Sequence, residues 1–161
     1  MGYYKTAQIC LNGHIITRSF DSSYSENFCS KCGANTITAC PNCNSILRGK
    51  YIVPGVLDLT TDKSPAPFYC YNCGKAYPWT ERAIEAAELL ILEDENLNDT
   101  EKQQFSESLP DLLTESPTPR TNIAIVRFKK FLGKTASYTA EGIRDIFVDV
   151  ASETIKKSLG L

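Results

Sequence analysis

The sequence predicts an α+β protein, a stretch of short β-hairpins followed by an α-helical region, and three observations predict it. All seven cysteines and the single histidine of the 161 residues fall between Cys10 and Cys73. That stretch is punctuated by turn-formers such as Asn12-Gly13, Pro41-Asn42 and Pro54-Gly55, which leave room only for short strands. After Trp79 cysteine disappears and apolar residues recur at helical spacing. Residues 1–79 and 80–161 are therefore expected to form two small domains.

The first stretch carries four ligand pairs, Cys10-x3-His14, Cys29-x2-Cys32, Cys40-x2-Cys43 and Cys70-x2-Cys73. Two donors separated by two or three residues form a knuckle, a tight turn that points both at one ion, and two knuckles close a tetrahedron. Eight such donors predict two structural Zn²⁺ ions in tandem zinc ribbons. The runs Ile15–Thr17 and Ile46–Val53 read as strands between the knuckles. A repeat suggests the wiring. Phe28-Cys29-Ser30-Lys31-Cys32-Gly33 returns as Tyr69-Cys70-Tyr71-Asn72-Cys73-Gly74, so each looks like the closing knuckle of its own unit. The sites are then sequential, with Cys10, His14, Cys29 and Cys32 on one ion and Cys40, Cys43, Cys70 and Cys73 on the other. A cross-braced pairing of first with third and second with fourth is the alternative.

A disulfide framework would use the same cysteines. Met1-Gly2-Tyr3-Tyr4-Lys5-Thr6, however, lacks a basic stretch followed by an apolar one, so a secretory signal is not expected and a reducing cytoplasm is. Iron–sulfur ligation is disfavoured by the histidine and the hairpin-flanked knuckles. Two complete tetrahedra keep no open position for water or substrate. His14, the sole histidine, is committed as a ligand, which removes the base that a Ser-His or Cys-His scheme needs. No catalytic residue is expected, and the chain reads as a non-enzyme. A redox role for the thiolates is the lesser alternative, since sulfur in closed zinc sites is mainly structural.

In the second stretch Thr80 is placed to cap a helix through Ile84, Ala87, Leu90 and Ile91, ending at Glu93-Asp94-Glu95. Trp79, straight after the last knuckle, is expected to seal the ribbon against that helix. Thr100-Glu101-Lys102-Gln103 fits a capping box for a helix through Phe105 and Leu109, stopped by Pro110. Ser116-Pro117-Thr118-Pro119 reads as a stiff linker. The segment 122–134 is a basic amphipathic helix, with Ala124, Ile125, Phe128, Phe131 and Leu132 on one face and Arg127, Lys130 and Lys134 on another. A last helix from about Thr139 to Leu159 aligns Ile143, Ile146, Phe147 and Val150, with Glu153 and Lys157 as an i, i+4 pair.

Charge narrows the choice of partner. Residues 1–80 hold seven Lys/Arg against four Asp/Glu, and two Zn²⁺ with seven thiolates bring the loaded ribbons close to neutral. Residues 81–115 hold two bases and eleven acids, whereas 116–161 hold eight bases and four acids, so these two segments are expected to face each other or different partners. The whole chain has net charge −2. A nucleic-acid binder draws much of its affinity from phosphate neutralisation, and that term is weak here. No apolar run is long enough to cross a bilayer, and contact with a membrane surface is not expected.

The run Cys10-Leu11-Asn12-Gly13-His14, then Phe28-Cys29-x2-Cys32-Gly33, Cys40-Pro41-Asn42-Cys43, Arg48-Gly49-x-Tyr51 and Tyr69-Cys70-x2-Cys73-Gly74-Lys75-x-Tyr77-Pro78-Trp79-Thr80 resembles a bacterial family of uncharacterised double zinc-ribbon proteins. The resemblance covers about half the chain, and more loosely the tail from Arg127 to Lys157. It implies a cytoplasmic bacterial protein with two ribbons and a helical extension. The function expected from the residues is a zinc-binding interaction module, an adaptor or assembly factor that docks a protein or a second copy. Arg127, Lys130, Lys134, Tyr71 and Trp79 are candidate partner contacts. The alternative is a nucleic-acid-binding or regulatory protein using the ribbon surface and the basic helix.

Overall fold

The computed structural model describes all 161 residues, Met1–Leu161, in two compact units, Met1–Trp79 and Thr80–Leu161. Its architecture is mixed α+β, with small antiparallel sheets and five α-helices.

In the first unit, β2 (Gln8–Cys10) is the centre of a three-stranded sheet, between β3 (Ile15–Thr17) and β4 (Thr36–Ile37). A separate two-stranded ribbon pairs β1 (Tyr3–Thr6) with β5 (Arg48–Ile52), with Tyr3 opposite Ile52 and Tyr4 opposite Tyr51. The expected strand at Ile15–Thr17 is present. The run Ile46–Val53 shortens to β5, because Ile46 pairs instead in an isolated bridge with Ala39. β1, β2 and β4 were not expected from the sequence. They are two to four residues long and have no apolar alternation of their own, so distant partners hold them.

The core of this unit is small: Ala7, Ile9, Cys40, Leu47, Ala66, Cys70, Tyr77 and Trp79. So little buried apolar surface is marginal for independent stability. Two local devices add to it. Gln8, buried in β2, donates from Nε2 to Glu26 O at 2.8 Å and to Thr36 Oγ1 at 2.9 Å, tying the 25–27 loop to the sheet. Gly49 lies so close to its neighbours that a Cβ there would stand 2.1 Å from Arg18 O and 3.0 Å from Lys5 O.

The second unit is helical. α1 (Pro78–Glu93) begins with proline, whose fixed φ suits a first helical position, so Thr80 lies inside the helix rather than capping it. α2 (Asp99–Ser108) is capped by Asn98, not Thr100. Asn98 Oδ1 accepts from Glu101 N at 2.9 Å, and the Glu101 carboxylate returns to Asn98 N at 3.2 Å. That register wins because it puts Asp99 and Glu101 in the first turn, where the helix dipole favours negative charge. α3 (Pro119–Leu132) starts inside the expected linker, with Thr118 and Thr121 as its capping box.

The single last helix is instead two, α4 (Ser137–Val150) and α5 (Glu153–Leu159), because Ser152 turns out to cap Ile155. The break also changes the ion pair: Glu153 binds Lys156 at 3.1 Å rather than Lys157. Phe105, Phe128, Phe131 and Phe147 form the aromatic centre of the unit, with neighbouring ring centroids 5.1–5.8 Å apart. The acidic and basic segments meet here through Arg120–Asp111 and Lys134–Glu101.

Candidate metal centres

The second, third and fourth knuckles are built by the same backbone hydrogen bonds, and the first by a turn one residue tighter. In the second, Cys29 N donates to Ala34 O and Gly33 N to Cys29 O, both at 2.8 Å. The fourth repeats this from Cys70 N to Lys75 O and from Gly74 N to Cys70 O. The turn requires positive φ just before or after its second donor: Gly13 has φ 88°, Gly33 72° and Gly74 70°. The third knuckle meets the same demand with Asn44 at φ 60°, the one non-glycine residue in that region. Asparagine tolerates the left-handed conformation better than most residues, and Asn44 N donates to Cys40 O at 2.8 Å as the glycines do. Bridges Phe28–Asn35, Ala39–Ile46 and Tyr69–Ala76 close three of the knuckles into short hairpins.

The four turns bring the donors together in sequential sets, Cys10, His14, Cys29 and Cys32 in one and Cys40, Cys43, Cys70 and Cys73 in the other. Within each set all donor atoms lie within 4.8 Å of one another. The cross-braced wiring is excluded by this grouping. In the first set Cys10 Sγ is 3.8 Å from Cys32 Sγ, and His14 Nδ1 is 3.5 Å and 3.6 Å from the sulfurs of Cys10 and Cys29. In the second, Cys40–Cys73 and Cys43–Cys70 are 3.8 Å and 3.6 Å apart.

These separations can be compared with a metal tetrahedron. Thiolates about 2.3 Å from a central ion stand about 3.8 Å apart, and a thiolate stands about 3.6 Å from an imidazole nitrogen bound at about 2.0 Å. The donors match both distances. They are far from the roughly 2.05 Å of a disulfide, and all seven cysteines are free. Each set could therefore hold one metal ion with four protein donors.

Polar groups around the donors favour the thiolate form. The Ala34 N–H and the Asn12 side chain, 3.4 Å away, bring Cys32 down to about 6. Burial pushes Cys70 up, but hydrogen bonds led by Ser45 Oγ, 3.3 Å away, bring it down to about 5. Burial dominates at Cys40 and raises it to about 11. Ser45 also lies 3.1 Å from Cys43 Sγ and so serves two donors. Sequence reasoning missed Ser45, Asn44 and the Asn12 contact. The signal was their position within two residues of a ligand, where a small polar side chain can reach the sulfur.

The candidate partner residues are scattered. Trp79 is buried; its ring stacks on Tyr77 with centroids 4.8 Å apart, and its indole N–H donates to Pro67 O at 2.8 Å. That corrects its reading as a surface for a partner, because the ring lies inside the first unit. Tyr71 is exposed beneath the Arg48 guanidinium, whose carbon is 3.6 Å from the ring centroid. On α3, Arg127 is half-buried and Lys130 exposed, while Lys134, just beyond the helix, is engaged by Glu101. The basic stripe is thus partly neutralised within its own unit. No helix is long and apolar enough to cross a membrane.

A family model described as "Uncharacterized protein conserved in bacteria (DUF2321)" matches residues 3–159. That match runs through both metal sets and all five helices, and the chain belongs to this family. Neither a curated protein nor a solved structure matches it.

Proposed function

We propose that this member of the bacterial family is a non-catalytic, zinc-stabilised interaction module, a double zinc ribbon with a helical extension that docks another protein in the cytoplasm. The observation that carries the reading is the closure of both donor sets. Four protein donors at tetrahedral spacing surround each position, which suits a structural ion and keeps no place for a reacting water. Three thiolates with an imidazole, and four thiolates, are donor sets that favour zinc among the common divalent metals. His14 is taken up in the first set, so no histidine is free to act as a general base.

With the metals holding the fold, the surface is available for docking. The loop after β5 supports this. Leu57 and Leu59 are 83% and 84% exposed, yet the loop is anchored by Lys50–Asp58 and Arg18–Asp62 ion pairs at 3.4 Å and 3.2 Å. An ordered loop that holds leucines in solvent is a feature of a contact surface. The nucleic-acid reading loses support from Lys134, whose charge Glu101 already answers.

Metal analysis of natively purified protein with thiol titration is the first test. Two zinc ions per chain and no reactive thiol until chelation are expected; one zinc, or thiols reactive in the loaded protein, would reopen catalytic and redox readings. Affinity capture from native lysate then tests docking. A stoichiometric protein is expected, and a nucleic acid in its place would reverse the choice of partner.

A further inference from the structure

One surface of the first unit combines aromatic rings with an unused cation. Tyr4 and Tyr51 face each other across β1 and β5, ring centroids 4.8 Å apart. The Arg48 guanidinium lies over the Tyr71 ring at 3.6 Å and the Tyr4 ring at 4.7 Å. All four side chains belong to exposed residues. Arg18 and Lys50 are engaged by Asp62 and Asp58, whereas the Arg48 side chain forms no ion pair or hydrogen bond within the chain. The stack fixes the guanidinium and leaves its N–H edge to solvent, a fork that suits a carboxylate. The guanidinium already occupies one face of the Tyr71 ring, a face that a nucleic-acid base would otherwise use for stacking.

A matching surface is present on α1. Glu81, Glu85, Glu88, Leu89 and Leu92 follow at three- and four-residue steps along one helical face. Leu89 and Leu92 are 55% and 61% exposed, and none of the three glutamates has an ion-pair partner.

We propose that the chain pairs with a second copy of itself through these two faces. The Glu–Leu face of α1 in one copy docks on the Tyr4–Arg48–Tyr51–Tyr71 surface of the other. The carboxylates meet the guanidinium edge, and the leucines cover the tyrosine rings. Every copy carries both faces, and the contact made in both directions closes a dimer. This inference rests on the interaction-module reading and names its partner.

Sedimentation equilibrium of the metal-loaded full chain across the micromolar range tests it. A dimer is expected, with the Arg48→Glu variant and the combined Glu85→Arg and Glu88→Arg variant each raising the dissociation constant about thirtyfold or more. The chain carrying all three substitutions restores opposite charges and recovers most of that loss. Metal content of two ions per chain confirms that each variant is folded around its sites. A monomer at every concentration, a dimer indifferent to both variants, or no recovery in the combined chain overturns the proposal. A monomer that still retains a stoichiometric protein from native lysate overturns only the second copy; one that retains nothing overturns the docking reading as well.

Discussion

Asp94 and Ala136 stand 42 residues apart, yet Asp94 Oδ2 accepts the Ala136 N–H at 2.9 Å. Asp94 follows α1 and is fully buried, and its other oxygen takes the Asn96 N–H at 2.9 Å. Ala136 occupies the cap position of α4 and has no side chain able to cap it. One carboxylate therefore ends the turn after α1 and supplies both an acceptor and negative charge at the start of α4.

Asp94→Ala should destabilise the helical unit by about 2–3 kcal/mol, since it orphans buried N–H groups as well as removing a cap. Burial pushes the Asp94 carboxyl up, but donors led by the Ala136 N–H outweigh it and hold it below the ordinary range. With the folded value depressed, the stabilisation is complete above about pH 4, the unfolded value, and is lost as pH falls through the folded one. Urea melts of the helical signal at neutral and acid pH check this. The variant should lose less stability than the parent on acidification, and equal losses would remove Asp94 from the account.

Gly49→Ala should cost the first unit about 3 kcal/mol, because the added carbon meets backbone oxygen that no rotamer change can move. Arg18 O also accepts Lys50 N at 2.8 Å, so pushing it away breaks a second contact. Faster loss of metal to a chelator, with the melting of the helical unit unchanged, is the expected signature.

The donor sets were legible because a knuckle is a local object: its spacing, its turn and its positive-φ residue all lie within six residues. Wiring was legible for the same reason, through the repeat around Cys29 and Cys70. The short strands were not, since Ile9 becomes a strand residue only when Ile37 lies beside it, and nothing near Ile9 indicates that. The end of α4 was hidden because Ala151 and Ser152 fit a helix as well as they end one. The Arg48 stack escaped notice because its rings come from β1 and from the fourth knuckle, which meet only after the chain has folded. Sequence reasoning therefore placed the metal donors and named Tyr71 as a candidate contact, but not the stack that Arg48 makes with it.

Ser45→Ala should weaken the second metal site alone. Ser45 Oγ touches the sulfurs of both Cys43 and Cys70, and loss of such an outer-shell partner costs about ten- to a hundredfold in metal affinity. Competition with a chromophoric chelator should show one ion per chain leaving more readily while the other is held as before. Equal weakening of both sites would mean that the serine acts through the fold rather than on the sulfurs.

Metal removal should unfold the first unit and spare the second. The core of the first unit includes two of the metal donors themselves, Cys40 and Cys70, and coordination supplies on the order of 10 kcal/mol or more per structural zinc site. The helical unit has its own phenylalanine centre and no metal donors. Acid should act in the same direction as chelation. Every cysteine must lose its proton to bind, and Cys40, raised to about 11 by burial, holds its proton at neutral pH without metal. Metal uptake at neutral pH therefore releases protons, and affinity falls as pH falls. Amide spectra recorded during chelation should lose the dispersed signals of residues 1–79 and keep those of the helices. If the first unit kept its dispersion without metal, its small apolar core would be sufficient alone, and the ions would have to serve something other than folding.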